Sequence, residues 1–183
     1  MATAEALMTA EEFGQMPDNG RRTELVRGRI IELPPPRLRH GQVCSRSARL
    51  LGNFVDEHNL GHVLSNDSGV VTRRDPDTVR GADVAFYSFG RLPKGPLPDE
   101  YPTVVPELIV EVRSPSDRWP DIEIKVAEYL SIGVLVVCVL DPEPRSAHLY
   151  YPDQPNRTFG PEDELSFPEC LGDFRVGVGR LFD

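Results

Sequence analysis

The chain has 183 residues, of which 39% are apolar and 27% charged, and its net charge is −9. That length and balance suit one globular domain with a sizeable core. No apolar run is long enough to span a membrane, and the acidic balance excludes a protein that coats nucleic acid by bulk electrostatics.

The charge is uneven, however. Between Gly20 and Arg49 eight arginines (21, 22, 27, 29, 37, 39, 46 and 49) face only Glu24 and Glu32, whereas from Asp141 onward nine acids face four arginines. A basic first third keeps a locally positive face, and so nucleic acid, in play. Residues 1–8 lack the basic start and long apolar core of a signal peptide, so a cytoplasmic location is expected. Cys44, Cys138 and Cys170 are odd in number, widely spaced and without a CxxC pair. They predict reduced core residues, with neither a zinc site nor a disulfide framework implied.

In chain order, Thr9 followed by Glu12 makes a capping box that opens a short helix, which Pro17-Asp18-Asn19-Gly20 ends as a turn. Residues 23–33 hold two short strand-like runs around Arg27-Gly28, the pattern of a hairpin closed by Pro34-Pro35-Pro36. Residues 38–58 predict a long helix with Val43, Ser47, Leu50, Leu51, Phe54 and His58 on its buried stripe. A second stripe, Arg39, Gln42, Arg46, Arg49 and Asn53, contains no acid; it is either a solvated face or a phosphate-contacting one.

Two strands are expected at 61–65 and 69–72, divided by Asn66-Asp67-Ser68, and another over 81–87 with Asp83 at its beginning. Five prolines and two glycines between Ser88 and Pro106 predict a long surface loop. Leu108, Ile109, Val110 and Val112 then form a short strand buried on both faces, with Glu107, Ile109, Glu111 and Arg113 on one side. Ser116 or Asp117 should cap the next helix, whose apolar face is Trp119, Ile122, Val126, Tyr129, Leu130 and Gly133. Val134–Leu140 reads as a core strand stopped by Asp141-Pro142, and 147–151 as its antiparallel partner. The remainder predicts short edge strands and turns. Strands and helices in this order predict an α/β (α+β) fold, a mixed sheet flanked by helices.

A buried carboxylate such as Glu111 is costly unless compensated, so it either pairs with Arg113 or water, or binds a metal. Cutting a phosphodiester with a divalent ion needs carboxylates to hold the ion and a cation beside the attacking water or the leaving oxygen. Asp83 and Glu111 supply the carboxylates if their strand ends meet. Glu24 is either a third carboxylate or a surface partner of nearby arginines. The cation is Arg113, which cannot share in proton transfer, or Lys125, whose alternative is an i,i+4 pair with Asp121.

The ordered set Glu24-Leu25-Val26-Arg27-Gly28-Arg29-Ile30, Arg39-His40-Gly41, Asp83-Val84-Ala85-Phe86, Pro106 to Asp117, Lys125 with Glu128-Tyr129-Leu130, and Val137 to Pro142 resembles the putative restriction-endonuclease family of the PD-(D/E)XK nuclease superfamily. The resemblance covers roughly residues 7–151 and implies a single nuclease-like domain over 1–183, with its core at about 20–151. It also implies a restriction-endonuclease-like mixed sheet, a Mg²⁺ or Mn²⁺ site and DNA cleavage. By the same likeness Asp83 and Glu111 match the metal carboxylates, and Glu24 the auxiliary acid. The usual Pro-Asp is Ala82-Asp83 here, and the usual Glu-x-Lys is Glu111-Val112-Arg113, which makes Lys125 on the helix the matching lysine and leaves Arg113 without a role.

The function expected is therefore a metal-dependent DNA endonuclease, with Arg39, Arg46 and Arg49 on phosphate, His40 as an auxiliary nucleic-acid contact, a homodimer as the assembly, and no organic cofactor. The alternative is a nuclease-fold module that grips nucleic acid or a protein without turnover.

Overall fold

Glu24, Asp83 and Glu111 lie on one mixed sheet, and helices packed against it carry the other expected site residues. The computed structural model describes residues 6–17 and 20–183, so Asp18 and Asn19 of the expected turn lie outside the described residues. In chain order the elements are α1 (Ala10–Gly14), β1 (Thr23–Val26), β2 (Arg29–Glu32), α2 (Leu38–Glu57), β3 (Gly61–Arg73), β4 (Thr78–Ser88), β5 (Leu108–Val112) and α3 (Trp119–Ser131). There follow β6 (Val136–Asp141), β7 (Ser146–Tyr150), β8 (Arg157–Phe159), β9 (Glu164–Ser166), α4 (Pro168–Leu171), β10 (Arg175–Gly177) and a 3-10 turn, Val178–Leu181. The main sheet runs β2-β1-β4-β5-β6-β7-β8, with β3 on the far edge of β4; β9 and β10 form a separate pair. β5 and β6 are parallel and joined by α3, as a crossover helix requires. No helix among the described residues is long and apolar enough to cross a membrane.

The two faces of the sheet are covered by different helices. Val43, Leu51 and Val55 of α2 pack with Val84, Phe86, Leu108, Val110 and Val112. Ile122, Val126 and Tyr129 of α3 pack with Ala85, Tyr87, Ile109, Val137 and Val139. β5 is buried at every position, and its two side-chain sets part between the helices as the period-2 pattern predicts.

β4 organises the site. It pairs with β3 along one edge; along the other, β1 meets it at Val79 and β5 at Val84–Phe86. The stretch Arg80–Asp83 thus faces a gap between two neighbours, and side chains fill it. The Gly81 N–H donates to Glu24 Oε1 at 3.2 Å, and the Val112 N–H donates to Asp83 Oδ2 at 2.8 Å. Strand alternation also slips here. Ala82 packs on the α3 side, yet Val84 packs on the α2 side and Ala85 on the α3 side again. Asp83 sits at the slip, opposite the bulge between Ser65 and Ser68.

The structure corrects several expectations. The strands expected at 61–65 and 69–72 are one strand, β3, because left-handed Asn66 (φ 64°) and Asp67 (φ 57°) are absorbed as a bulge rather than a turn. Asp83 lies in the middle of β4, not at a strand's beginning. Arg118 is the N-cap residue of α3, with no side-chain cap, and Asp117 instead accepts a bond from the Ser114 N–H at 2.7 Å. His58 is exposed at the end of α2; Val55 takes its place in the stripe, and His40 is buried there too. The C-terminal stretch is more than edge strands, since Leu165, Phe167, Leu171, Phe174, Val176, Val178, Leu181 and Phe182 all enter the α2-side core. The α1 capping box, the β1–β2 hairpin and the antiparallel β6–β7 pair follow expectation.

Candidate active site

A cleft of about 600 Å³ opens over the gap beside β4, and Glu24, His40, Asp83, Glu111 and Lys125 all line it. β1 delivers Glu24, β4 Asp83, β5 Glu111, α2 His40 and α3 Lys125. Arg39, Arg46 and Arg49 are not among the lining residues.

Glu24 is only 3% exposed and is fully compensated. It accepts from Lys125 Nζ at 2.8 Å, Arg80 Nη1 at 2.9 Å and the Gly81 amide. Burial pushes its pKa up, but Lys125 and Arg80 outweigh burial and hold it below the usual carboxylate value. The reading of Glu24 as a surface ion-pair partner is thereby excluded. Arg80 also grips Glu128 of α3 with two bonds, at 2.7 and 3.1 Å. Lys125, Glu128 and Tyr129 lie at i, i+3 and i+4, so one face of α3 supplies all three.

Glu111 accepts the Tyr129 hydroxyl on Oε1 at 2.8 Å, while Lys125 stands 3.8 Å from Oε2. Burial pushes Glu111 up to about 7, Lys125 pulling it back and Asp83 adding to the rise. Lys125 itself is held charged: burial opposes its ammonium, but Glu111 and Glu24 raise its pKa well above the ordinary lysine value. Its expected alternative partner, Asp121, pairs with Arg118 instead.

Asp83 has His40 Nε2 at 3.4 Å from Oδ2 and Arg22 Nη2 at 3.6 Å from Oδ1. Burial works against the Asp83 charge, and His40, the Val112 amide and Arg22 keep its pKa below the usual value. His40 is 6% exposed and turned toward Asp83. Cys44, one turn further along α2, places Sγ 3.4 Å from His40 Nδ1.

Arg113 does not pair with Glu111. Its Nη1 donates to Asp141 Oδ2 at 2.9 Å, and its guanidinium stacks on Trp119 at 5.4 Å, so it ties the end of β5 to the end of β6. Arg22 and Arg80 were missed by sequence reasoning, and Glu128 and Tyr129, although part of the ordered motif, were given no site role. The i, i+3, i+4 spacing on α3 was the available signal for the last two; the Arg80–Glu24 pair joins residues 56 positions apart and leaves no local one.

Chemically, Asp83 and Glu111 fit a hard divalent ion. Each has one oxygen held by a hydrogen bond, and the other faces a cation only at 3.6 or 3.8 Å, too long for a hydrogen bond. Five carboxylates and five Lys or Arg side chains line the cleft, so an added divalent cation would leave it net positive toward a phosphate.

No curated protein matches the chain. A crystal structure of a putative nuclease belonging to DUF820 from Anabaena variabilis ATCC 29413 superposes with a TM-score of 0.82 at 19% identity, over 96% of this chain and 97% of that one. The fold is thus restriction-endonuclease-like. The family model Uma2, described as putative restriction endonuclease, matches residues 10–179, nearly the whole length, and the chain belongs to that family.

Proposed function

We propose that the protein is a metal-dependent DNA endonuclease working at the cleft beside β4, within a nuclease core of about residues 20–151. The observation that carries this reading is the pair Asp83 and Glu111. Both line one cleft, each has an oxygen free of short hydrogen bonds, and a charged lysine stands beside them. These two residues would hold Mg²⁺ or Mn²⁺, which when bound activates water and offsets phosphate charge.

The chain's own residues do the rest. The Lys125 ammonium, kept charged by Glu24 and Glu111, orients water and stabilises charge on the phosphate rather than accepting a proton. Glu24 acts through Lys125 by fixing its position. Tyr129 and His40 hold the two metal carboxylates in orientation, as outer partners do for metal ligands. Arg22 and Arg37 in the cleft wall contact the DNA backbone, as do Arg46, Arg49 and Arg39 along α2 outside the cleft, Arg39 while also donating to the Pro142 carbonyl. Cutting both strands calls for two such sites, which favours a homodimer.

The test is plasmid nicking by the purified chain with Mg²⁺ or Mn²⁺, beside Asp83→Ala and an EDTA control. Nicking that disappears in both controls supports the reading. Nicking that survives Asp83→Ala overturns the site. DNA retarded on a gel but never cut replaces the endonuclease with a binding module.

A further inference from the structure

We propose a second ion site, for Zn²⁺ or an ion of its class, built from His40, Cys44 and Asp83 and antagonistic to the Mg²⁺ site. One donor atom from each of the three lies within 4.8 Å of the others. His40 and Cys44 are one turn apart on α2, the spacing that puts two ligands on one helix face, and β4 brings the third. Cys44 Sγ is 3.4 Å from His40 Nδ1, and His40 Nε2 is 3.4 Å from Asp83 Oδ2. Those two contacts use opposite ring nitrogens of His40 and zinc takes one of them, so the fit is set by the separation of up to 4.8 Å among single donors. Neighbouring donors around a tetrahedral zinc ion stand about 3.3–3.8 Å apart, and the side chains would close in by about 1 Å or less to ligate.

The chemistry of the donors separates this site from the Mg²⁺ site. A nitrogen, a sulfur and an oxygen suit a borderline ion, whereas Mg²⁺ takes oxygen alone. Three protein ligands would leave a fourth position for water, and two of the three, His40 and Asp83, line the cleft. The nearby Arg22 is already paired with Asp67 through a 2.7 Å bond from its Nε, which limits its opposition to an added cation. The wide cysteine spacing predicted no zinc site because the partners of Cys44 come from its own helix and a distant strand, not from another cysteine.

The two sites share Asp83. An ion held by His40 and Cys44 draws that carboxylate away from Glu111, so zinc-class ions inhibit the nuclease. This consequence rests on the endonuclease reading; the site itself does not.

Co²⁺ titration tests the site without reference to activity. The wild type should take up one Co²⁺ per chain with a near-ultraviolet thiolate-to-metal band. Cys44→Ser should lose the band, and Cys170→Ser should keep it. No band in the wild type, or a band that survives Cys44→Ser, overturns the proposal. In the nicking assay, Zn²⁺ at ten times its dissociation constant should raise the Mg²⁺ requirement about tenfold in the wild type and far less in Cys44→Ser. Zinc that leaves the Mg²⁺ requirement unchanged overturns the antagonism. A Co²⁺ band in a protein that never cuts DNA upholds the site and sinks the endonuclease reading instead.

Discussion

On the proposed reading Asp83 carries two loads, structural and metal-binding, and two substitutions separate them. Repulsion among clustered carboxylates alone would predict that Asp83→Ala is harmless to folding. The geometry argues otherwise. Asp83 Oδ2 accepts the buried Val112 N–H at 2.8 Å, across the gap that β5 leaves along β4. Alanine strands that amide, at a cost of about 1–3 kcal/mol. It also removes the anion facing His40 at 3.4 Å and Arg22 at 3.6 Å, worth about 1 kcal/mol more. Asparagine keeps an acceptor for Val112 and loses only the charge, so it should cost about 1 kcal/mol. With a urea slope of about 2 kcal/mol/M for a chain of this size, the midpoint should fall by about 1–2 M for alanine and about 0.5 M for asparagine. Both variants should stop plasmid nicking. Equal midpoints for alanine and wild type would refute the structural load, and wild-type nicking by the asparagine variant would refute the metal-ligand role.

Three further predictions test neighbouring claims. Lys125→Gln should lower the nicking rate by about 10²–10³-fold, the usual effect of losing one charge-stabilising donor, while shifting the Mg²⁺ requirement much less; a change confined to the Mg²⁺ requirement contradicts its assigned role. Asp77 accepts the Ala10 N–H at 2.8 Å and Arg74 Nη1 at 2.9 Å, anchoring α1. Burial pushes the Asp77 pKa up, but those partners and the Asp75 amide hold it below its ordinary value. Its contribution is therefore present above the unfolded carboxylate pKa and lost as pH falls through the depressed one, so Asp77→Asn should cost about 1–2 kcal/mol at neutral pH and progressively less below about pH 4. Urea midpoints at the two ends of that range check it. Gly61→Ala drives a Cβ into the Tyr87 carbonyl oxygen, a backbone atom that cannot swing aside. It should destabilise by about 2 kcal/mol or more, and a melting temperature equal to wild type would contradict the β3–β4 approach.

What was legible in the sequence was local. Thr9 and Glu12 lie three apart, the hairpin turns at Arg27-Gly28, and the alternation of β5 separates Glu111 from Val110 and Val112. Each of those signals spans a few residues and depends on no distant partner. The slip at Asp83 was not legible, because it arises where β4 loses one neighbour before gaining the next. The bulge in β3 was misplaced for a related reason: Asn66 and Asp67 have turn chemistry, and only the long pairing with β4 holds them in a strand. Of the residues that meet at the cleft, Glu24, Asp83, Glu111 and Lys125 were reachable through the ordered motif. Arg80, Arg22 and Cys44 were not, since each acquires its meaning from a residue on another element.

The arrangement also explains why the cation beside Glu111 is Lys125 and not Arg113. Arg113 follows β5 directly, and β6 runs parallel beside it, so the residue after Val112 falls next to Asp141 after Leu140. That pairing, reinforced by Trp119, takes the guanidinium away from Glu111. The cation beside Glu111 comes instead from α3, where Lys125 is one helical turn before Tyr129, the residue that holds the other Glu111 oxygen. One helix face thus sets both the acid's orientation and the cation's position. Their relative geometry then depends on how α3 packs through Ile122 and Val126, and much less on the strand end itself. Shortening either apolar contact, as in Val126→Ala, should therefore disturb Lys125 and Tyr129 together.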